Sequence, residues 1–341
     1  RRPLLERAAE LLSGEGVAPS IFGGVRGEPT LEVVEAARAQ ARALEAQVIV
    51  AIGGGSTIDA AKAAAGLFGQ PGAVAEYHAG RGLEPLRGLP LVAVPTTAGT
   101  GAEVTRNAVL IDPESGVKAS IRDDSWFPAL AIVDPELTLS LPPPLTASTG
   151  ADALCQAIEA YVSIGAGPLT DPLAAEAIRR IGRSYARAVA QGDDLEARRD
   201  MLYGSLLAGM AMVNAGLGAV HGLAHPLGAR YGMAHGVVCG LLLPQVMTYN
   251  LDYAREKYAC VAGLLGLEVR SAGIAEAGRM AVERVRQLLA EAGVPEHLAA
   301  FGVREDELEA LTAAAMGQSS LRYNPRPMQP EDVRAVLAQA L

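Results

Sequence analysis

The feature that most constrains the fold of this chain is the distribution of its short apolar β-type runs. Four of them alternate with helical patterns in the first part of the chain: AQVIVAI at 46–52, LPLVAVP at 89–95, NAVLID at 107–112 and LAIVDP at 130–135. Strands that are apolar on both faces and separated by helices are typical of a buried parallel sheet in an α/β layer. We therefore expect an α/β domain in this part of the chain.

After residue 140 the β-type runs stop. Three consecutive prolines at 142–144 end one element, and long helical patterns such as DPLAAEAIRRIGRSYARAVAQ follow them. The sequence predicts a domain boundary near residue 145, with an α/β domain at 1–145 and an all-helical domain at 146–341. A chain of 341 residues, 50% of them hydrophobic, is long enough to bury both cores.

The charge and the cysteine content narrow the possible partners and surroundings. The formal net charge is -9 with no basic stretch to offset it, which argues against a nucleic-acid or anionic-membrane partner. The three cysteines include no CxxC pair, so neither a disulfide framework nor a zinc site built of thiolates is expected. No apolar run approaches the roughly 18 residues of a membrane span. These features predict a soluble protein in a reducing, cytoplasmic setting.

The first chemical motif is VIVAIGGGSTIDAAKAAAGL at 48–67, where a buried strand runs into a glycine-rich turn and a helix. The turn consists of Gly53, Gly54, Gly55 and Ser56. Glycines let a ligand approach the backbone, and the first amides of the helix favour a phosphate. Ile58 stands where G-x-G-x-x-G requires its third glycine, so the motif is not that fingerprint. The alternative is a tight turn in which Ser56 caps the helix and Asp59 closes a capping box.

The second motif is VPTTAGTGAEVT at 94–105, directly after another strand. Its hydroxyl groups belong to Thr96, Thr97, Thr100 and Thr105. Since both motifs follow strands of one parallel sheet, we expect them at the same sheet edge, where open α/β sheets bind nucleotides. An ordinary Thr/Gly-rich turn is the alternative.

Three of the five histidines lie in VHGLAHPLGARYGMAHG at 220–236. His221 and His225 are four residues apart and share one helix face, but Gly222 replaces the glutamate of a metalloprotease H-E-x-x-H. His235 lies on a predicted turn. Imidazoles gathered in this way indicate a metal or catalytic site completed by a carboxylate, with buried structural histidines as the alternative.

The carboxylate donor is sought in TGADALCQAIEAY at 149–161. Asp152 is the candidate, although an acid near a helix start can also act by complementing the helix dipole. Glu159 and Tyr161 are expected to be ordinary packing or surface residues.

Taken together, GGGSTIDAAK, PTTAGTGAEVT, VDPELT, TGADALCQAIEAYVS, NAGLGAVHGLAHPLGARYGMAHG and YNPRPMQPEDV resemble the iron-containing (group III) alcohol dehydrogenase family, in order from about residue 28 to the end. The resemblance implies an N-terminal Rossmann-like dinucleotide-binding domain, a helical C-terminal domain and an active site in the cleft between them. It also implies a homodimer or higher homo-oligomer.

The resemblance assigns roles to individual residues. Gly54, Gly55 and Ser56 would hold the pyrophosphate of NAD or NADP. Thr96, Thr97, Thr100 and Thr105 would line the cofactor, Lys118 would contact it, and Asp59 would approach the nicotinamide or the substrate. Asp152, His221 and His235 match metal ligands, for Fe(II) first and Zn(II) next. His225 matches the histidine that faces the substrate and relays its proton.

Two features depart from the family pattern. Gln156 stands where the family has a further histidine ligand, and an amide oxygen is a poorer ligand than imidazole. The chain also begins with Arg1-Arg2-Pro3 in a helical pattern, without an initiator methionine or the family's first strand and glycine turn. We expect an upstream segment to be missing, and the choice between NAD and NADP stays open with it.

The function that follows is reversible hydride transfer between NAD(P) and a small alcohol or aldehyde, with the metal as Lewis acid. A metal-free reductase similar to maleylacetate reductase and a zinc polyol dehydrogenase similar to glycerol dehydrogenase are the alternatives. A cyclase similar to dehydroquinate synthase would need more basic residues for its substrate phosphate. A nucleotide-binding protein with a decayed site is disfavoured because all four candidate site residues in the helical domain remain.

Overall fold

The computed structural model describes residues 2–341, except for the side chain of Arg2. Two compact units are present, and each is described by itself. The α/β unit comprises the residues up to Pro95 together with Arg106–Ile132, and the helical unit comprises Thr96–Thr105 and Val133–Leu341. The loop of the second motif thus groups with the helices. The boundary near residue 145 stays a prediction.

The α/β unit contains four helices and five strands among its described residues. In chain order these are α1 (Arg2–Gly14), α2 (Leu31–Ala43), β1 (Ile49–Gly53), α3 (Gly55–Gly66), α4 (Val74–His78), β2 (Leu91–Pro95), β3 (Asn107–Ile111), β4 (Lys118–Arg122) and β5 (Leu130–Ala131). Strand β2 lies between β1 and β5, and all three are parallel. Gly53 lies opposite Pro95, so the residues that follow β1 and β2 leave the sheet at the same edge. The predicted fold class is confirmed.

One predicted strand belongs to a different sheet. The run at 107–112 was expected in the parallel sheet, but β3 pairs antiparallel with β4 in a separate two-stranded sheet. The hairpin is possible because Gly116 adopts a left-handed φ of 70° in the connecting turn. Strand β4 has the largely polar sequence KASIR. Because it contains no apolar run, this strand was not expected from the sequence.

The helical unit consists of nine α-helices with short 3₁₀ turns between some of them. The helices are α5 (Pro143–Val162), α6 (Thr170–Ala190), α7 (Leu195–Ala215), α8 (Ala219–Tyr231), α9 (His235–Asn250), α10 (Arg255–Leu264), α11 (Ile274–Glu291), α12 (Leu308–Met316) and α13 (Pro330–Ala340). Helix α5 is buried on nearly every side and packs against α6, α7 and α9. A helix that is apolar all round is stable only in such a core.

Glycines allow two close approaches that shape the helical unit. At the start of α9, a Cβ on Gly236 would collide with the carbonyl oxygen of Ser148 on α5. This contact brings the beginning of α9 next to the segment of α5 that carries Asp152. In the second motif, Gly101 has a φ of 59° and a Cβ there would lie 2.7 Å from the Cα of Gly209 on α7. Glycine at 101 therefore serves helix packing.

Within residues 2–341, no single helix combines the length and apolar character that crossing a membrane requires. Helices α7 and α8 satisfy these criteria only as a pair, and the pair is bent by 105°.

Candidate metal centre

Three helices of the helical unit bring four metal-binding side chains together. Asp152 comes from α5, His221 from α8, and His235 and Cys239 from α9, and one donor atom of each lies within 4.8 Å of the others. The Nε2 atoms of His221 and His235 lie 3.4 and 3.7 Å from Oδ1 of Asp152. The rings of the two histidines are 5.4 Å apart between centroids. All three metal ligands expected from the sequence therefore meet.

The oxygen at the middle of this cluster has no donor. Asp152 is only 3% exposed, and its Oδ1 accepts no hydrogen bond within the described part of the chain. A buried carboxylate oxygen without a partner is costly, and an ion that coordinates it removes that cost. Gln156 lies one turn further along α5, and its buried Oε1 also lacks a hydrogen-bond partner among residues 2–341.

A carboxylate outside the cluster orients His221. Glu159 on α5 is buried, and its Oε2 lies 2.6 Å from Nδ1 of His221. Its Oε1 accepts the backbone N–H of Val220 at 2.6 Å, in the first turn of α8. When Nδ1 donates to Glu159, neutral His221 keeps its lone pair on Nε2, on the side of the cluster. The same carboxylate thus fixes the start of α8 and the tautomer of His221.

The anionic neighbours of the two imidazoles control their pKa values. Burial lowers the pKa of His221, but Cys239 and the two adjacent carboxylates outweigh this effect and raise it well above its ordinary value. Burial likewise lowers the pKa of His235, while Cys239 and Asp152 raise it above its ordinary value. The cluster favours positive charge, which a divalent cation supplies when it displaces the protons.

The two buried thiols next to the cluster have opposite protonation preferences. Burial raises the pKa of the Cys239 thiol, but a hydrogen bond from Cys155 and the two imidazoles outweigh it and hold the pKa well below its ordinary value. The pKa of Cys155 is raised well above its ordinary value, by burial first and then by Cys239. Of the two thiols, Cys239 is therefore the one that releases its proton more readily.

His225 lies beside the cluster and has a different partner. Its ring centroid is 5.6 Å from that of His235. Its Nδ1 lies 3.2 Å from the amide oxygen of Gln318, beyond α12. When the amide oxygen accepts from Nδ1, neutral His225 keeps a lone pair on Nε2 and can take up a proton there.

The glycine-rich turn of the first motif lies in the α/β unit. Gly53 ends β1, Gly54 is the N-cap of α3, and no side chain caps this helix. The expectation that Ser56 caps the helix and Asp59 closes a capping box is wrong, because the helix begins at Gly55, before Ser56. The first amides of α3 therefore have no side-chain acceptor, which suits the binding of an anion.

Asp59 and Lys118 have protein partners within the α/β unit. Oδ2 of Asp59 accepts the backbone N–H of Val109 at 2.9 Å, and Nζ of Lys62 lies 3.5 Å from Oδ1. Burial raises the pKa of Asp59, and Lys62 and the Val109 amide offset only part of the rise. Lys118 on β4 forms an ion pair with Glu28 at 2.9 Å. Their cofactor roles stay predictions.

Two of the four hydroxyl groups of the second motif form local turn bonds. Thr100 accepts the N–H of Ala102, and Thr105 donates to the carbonyl oxygen of Ala102, both at 3.3 Å. Thr96 is buried, whereas Thr97 is partly exposed. The hydroxyls of Thr100 and Thr105 therefore stabilise the loop that follows β2.

The sequence analysis missed three residues of the centre. Cys239 is four residues after His235, the same helical spacing that drew attention to His221 and His225. Glu159 was expected to be an ordinary packing or surface residue, which is wrong, because it bonds His221; its place seven residues after Asp152 on one helix was the available signal. Gln318 carried no signal, since its meeting with His225 depends on tertiary structure.

Two family models together match nearly the whole chain. The family model described as iron-containing alcohol dehydrogenase matches residues 1–135, and the model described as the C-terminal part of the Fe-containing alcohol dehydrogenase family matches residues 146–341.

Individual relatives agree with the family models. Long-chain-alcohol dehydrogenase 1 of Geobacillus thermodenitrificans (strain NG80-2) is 42% identical over 340 residues, which are 99% of this chain and 86% of the relative. The NAD-dependent methanol dehydrogenase of Bacillus methanolicus is 36% identical over 339 residues, 99% of this chain and 88% of the relative. The crystal structure of a 1,3-propanediol oxidoreductase superposes with a TM-score of 0.95 at 38% identity, covering 99% of this chain and 88% of that one.

Proposed function

The chain belongs to the iron-containing alcohol dehydrogenase family and is a metal-dependent oxidoreductase, and from this premise we propose how its residues divide the reaction. The reaction is reversible hydride transfer between NAD(P) and a small alcohol or aldehyde. NAD as the hydride carrier is supported by the name of the methanol-oxidising relative. Asp152, His221 and His235 hold one divalent metal, Fe(II) or Zn(II).

One observation carries the metal assignment: the buried Oδ1 of Asp152 faces two imidazole nitrogens and has no donor among the described residues. Bonds of about 2.1 Å at tetrahedral angles place nitrogen and oxygen donors of one ion about 3.4 Å apart. The separations from Asp152 to His221 and His235 are 3.4 and 3.7 Å. The donor set therefore fits a divalent metal.

When bound, the metal supplies Lewis acidity toward the reacting oxygen of the substrate. Asp152 neutralises part of the charge of the ion, and Glu159 holds His221 in the tautomer that offers Nε2. His225 takes the proton of the alcohol on Nε2 and returns it in the direction of reduction, while its Nδ1–H donates to Gln318. Asp152, His221 and Glu159 are buried and His225 is partly exposed, so the residue that exchanges the proton lies at the open side of the cluster.

The start of α3 is the proposed pyrophosphate site. Gly54 as an N-cap without a side-chain acceptor, followed by Gly55 and Ser56, leaves backbone amides for the phosphate oxygens. Gly53 ends the strand before them. The cofactor-lining roles of Thr96, Thr97, Thr100 and Thr105, the contact by Lys118 and the approach of Asp59 to the nicotinamide are part of the same proposal. A cytoplasmic homo-oligomer completes it.

The test begins with metal analysis of protein purified without chelator, followed by exhaustive chelation. We expect about one divalent ion per chain, and a loss of activity of roughly 10³-fold on its removal, since Lewis-acid stabilisation is worth several kcal/mol. Activity with NAD, NADP and a panel of small alcohols and aldehydes should return when Fe(II) or Zn(II) is added. Full activity after complete removal would instead identify a metal-free reductase.

A further inference from the structure

We infer that the thiolate of Cys239 is the fourth protein ligand of the metal, in place of the histidine that Gln156 replaces, and that the site consequently selects Zn(II). The inference rests on the proposed function, because it concerns the same ion. A search for CxxC pairs does not find Cys239, because the other donors of the group are a carboxylate and two imidazoles.

The first argument is the geometry of the donor atoms. Sγ of Cys239 lies 3.6 Å from Nε2 of His235 and 4.0 Å from Nε2 of His221. For an ion bound at about 2.1 Å by nitrogen and about 2.3 Å by sulfur, a tetrahedral angle gives a nitrogen to sulfur separation of about 3.6 Å. The two separations therefore fit a sulfur that binds the same ion as the two imidazoles, and the Asp152 oxygen lies within 4.8 Å of that sulfur.

The second argument is the surroundings of the side chain. A buried free cysteine ordinarily packs as a small hydrophobic residue. Cys239 is fully buried, yet its sulfur faces the two donor nitrogens of the cluster rather than only apolar groups. One helical turn separates it from His235, so the packing of α9 on α5 through Gly236 directs both side chains to the ion.

The third argument separates Cys239 from the second buried cysteine. Cys155 Sγ lies 3.9 Å from Nδ1 of His221, the nitrogen that donates to Glu159. Cys239 lies on the opposite side of the ring, toward Nε2, where the lone pair points. Only Cys239 therefore shares the coordinating face of His221. Cys155 is the matched control that the chain itself offers.

The fourth argument is ligand strength. The amide oxygen of Gln156 binds Fe(II) or Zn(II) weakly, whereas a thiolate binds Zn(II) strongly. Replacement of imidazole by thiolate makes the donor set softer and moves its preference from Fe(II) toward Zn(II). Some catalytic zinc sites expand to five ligands in the transition state, so a site with four protein donors has a route to bind the substrate oxygen.

The test uses Co(II) alone as a probe in the full-length, metal-stripped protein. A thiolate bound to Co(II) gives an intense near-ultraviolet charge-transfer band, which nitrogen and oxygen ligands do not give. We expect the band in the native sequence, its loss in Cys239→Ser, and its retention in Cys155→Ser and Gln156→Leu. Competition with a chromophoric chelator should show that Zn(II) binds Cys239→Ser at least about 100-fold more weakly than it binds the native chain. Loss of a residue that only hydrogen-bonds a metal ligand typically costs about 10- to 100-fold.

The outcomes distinguish the inference from the function on which it rests. If one Co(II) binds to the native chain without a charge-transfer band, Cys239 is not a ligand, while the metal-dependent function stands. A band that disappears in Cys155→Ser but persists in Cys239→Ser overturns the inference in the same way. If the native chain binds no Co(II), Zn(II) or Fe(II), both proposals fail. Because the first outcome needs no variant, a Cys239→Ser protein that does not fold leaves the inference testable.

Discussion

Two carboxylates of the helical unit are almost equally buried and have opposite surroundings. Asp200 on α7 is 4% exposed and accepts hydrogen bonds from Arg180, Arg183 and Ser184 on α6, at 2.5 to 3.1 Å. Asp152 on α5 is 3% exposed, and its Oδ1 has no donor among the described residues. One anion is bonded to cations and a hydroxyl of its own chain, and the other faces the donor atoms of the proposed metal site.

The difference shows how burial alone misleads. A carboxylate whose oxygens are all bonded to cations and hydroxyls stabilises the packing of two helices. A carboxylate at the same depth, faced by imidazole nitrogens and a cysteine sulfur, has the surroundings of the metal site that we propose. Asp200→Asn should therefore lower mainly the free energy of unfolding, and Asp152→Asn should lower mainly the catalytic activity.

The largest expected effect is that of Asp152→Asn on activity. We expect loss of the bound metal and a fall in kcat/KM of about 10³-fold, because the proposed Lewis acid is worth several kcal/mol. In chelator, the free energy of unfolding should not fall, since the variant removes a buried charge that lacks a donor. Metal analysis, steady-state kinetics and urea unfolding measure the three quantities. A loss of stability in chelator equal to that of Asp200→Asn would make Asp152 a structural residue.

His225→Asn should have the next largest effect. It tests whether His225 differs from His221 and His235 in acting on the proton rather than binding the metal. We expect kcat to fall about 10²-fold, as is usual when a general acid or base is lost, while the metal content stays unchanged. The pH profile of kcat should lose the limb that belongs to this group. If the metal is lost together with activity, His225 is a ligand, and its proposed role is wrong.

Glu159→Gln should have a smaller effect, through His221. The variant keeps the size of the side chain but weakens the bond that fixes Nδ1, so the metal affinity should fall about 10- to 100-fold. At saturating metal, most of the activity should return. Asp200→Asn is the control, because it neutralises an equally buried carboxylate that contacts no histidine. An unchanged metal affinity in Glu159→Gln would limit Glu159 to holding the start of α8.

Asp200→Asn should change activity least. We expect unchanged metal content and kcat, with a loss of about 1 to 2 kcal/mol in the free energy of unfolding, since Arg183 is half exposed and its ion pair is screened. Burial raises the pKa of Asp200, but Arg183, Ser184 and Arg180 outweigh burial and lower it below its ordinary value. The stabilisation is therefore present above the pKa of an unfolded aspartate, about 3.9, and is lost as pH falls through the lower folded value.

Urea unfolding of the native chain and Asp200→Asn at neutral and acidic pH checks this sign. The difference in free energy should shrink below about pH 4, where the unfolded aspartate takes up its proton, and should vanish once the native carboxylate is protonated at its lower pKa. A difference that grows on acidification would contradict the assigned direction of the pKa shift.

The class of fold could be predicted from sequence, because it depends on local apolar patterns, whereas the donor roles of Asp152, His221 and His235 were assigned by resemblance to the family. The apolar runs that contain β1 and β2 predict the parallel sheet. The i, i+4 spacing of His221 and His225 predicts the helix that carries them. The hairpin was missed because β4 is polar and its partner looked like a buried strand. Pairing of strands depends on a turn at Gly116 rather than on hydrophobicity.

The parts of the centre that sequence did not predict are contacts between distant elements. Cys239 had the correct spacing but gives no signal by itself, because cysteine is also a common core residue. Glu159 looked like an ordinary helix residue until α8 was found to begin against it. Ser56 and Asp59 fit the pattern of a capping box, but the helix starts two residues too early for that box to form, with Gly54 rather than Ser56 as the N-cap.

Because its donors come from α5, α8 and α9, the proposed ion would cross-link three helices of the helical unit as well as take part in the reaction. An ion that binds only the folded chain adds about 4 kcal/mol to its stability at a free concentration 1,000 times Kd. Heat inactivation should therefore track the free metal concentration of the medium. A preparation that loses its ion on storage would lose thermal stability together with activity. A lowered melting temperature would therefore reveal that the ion has been lost.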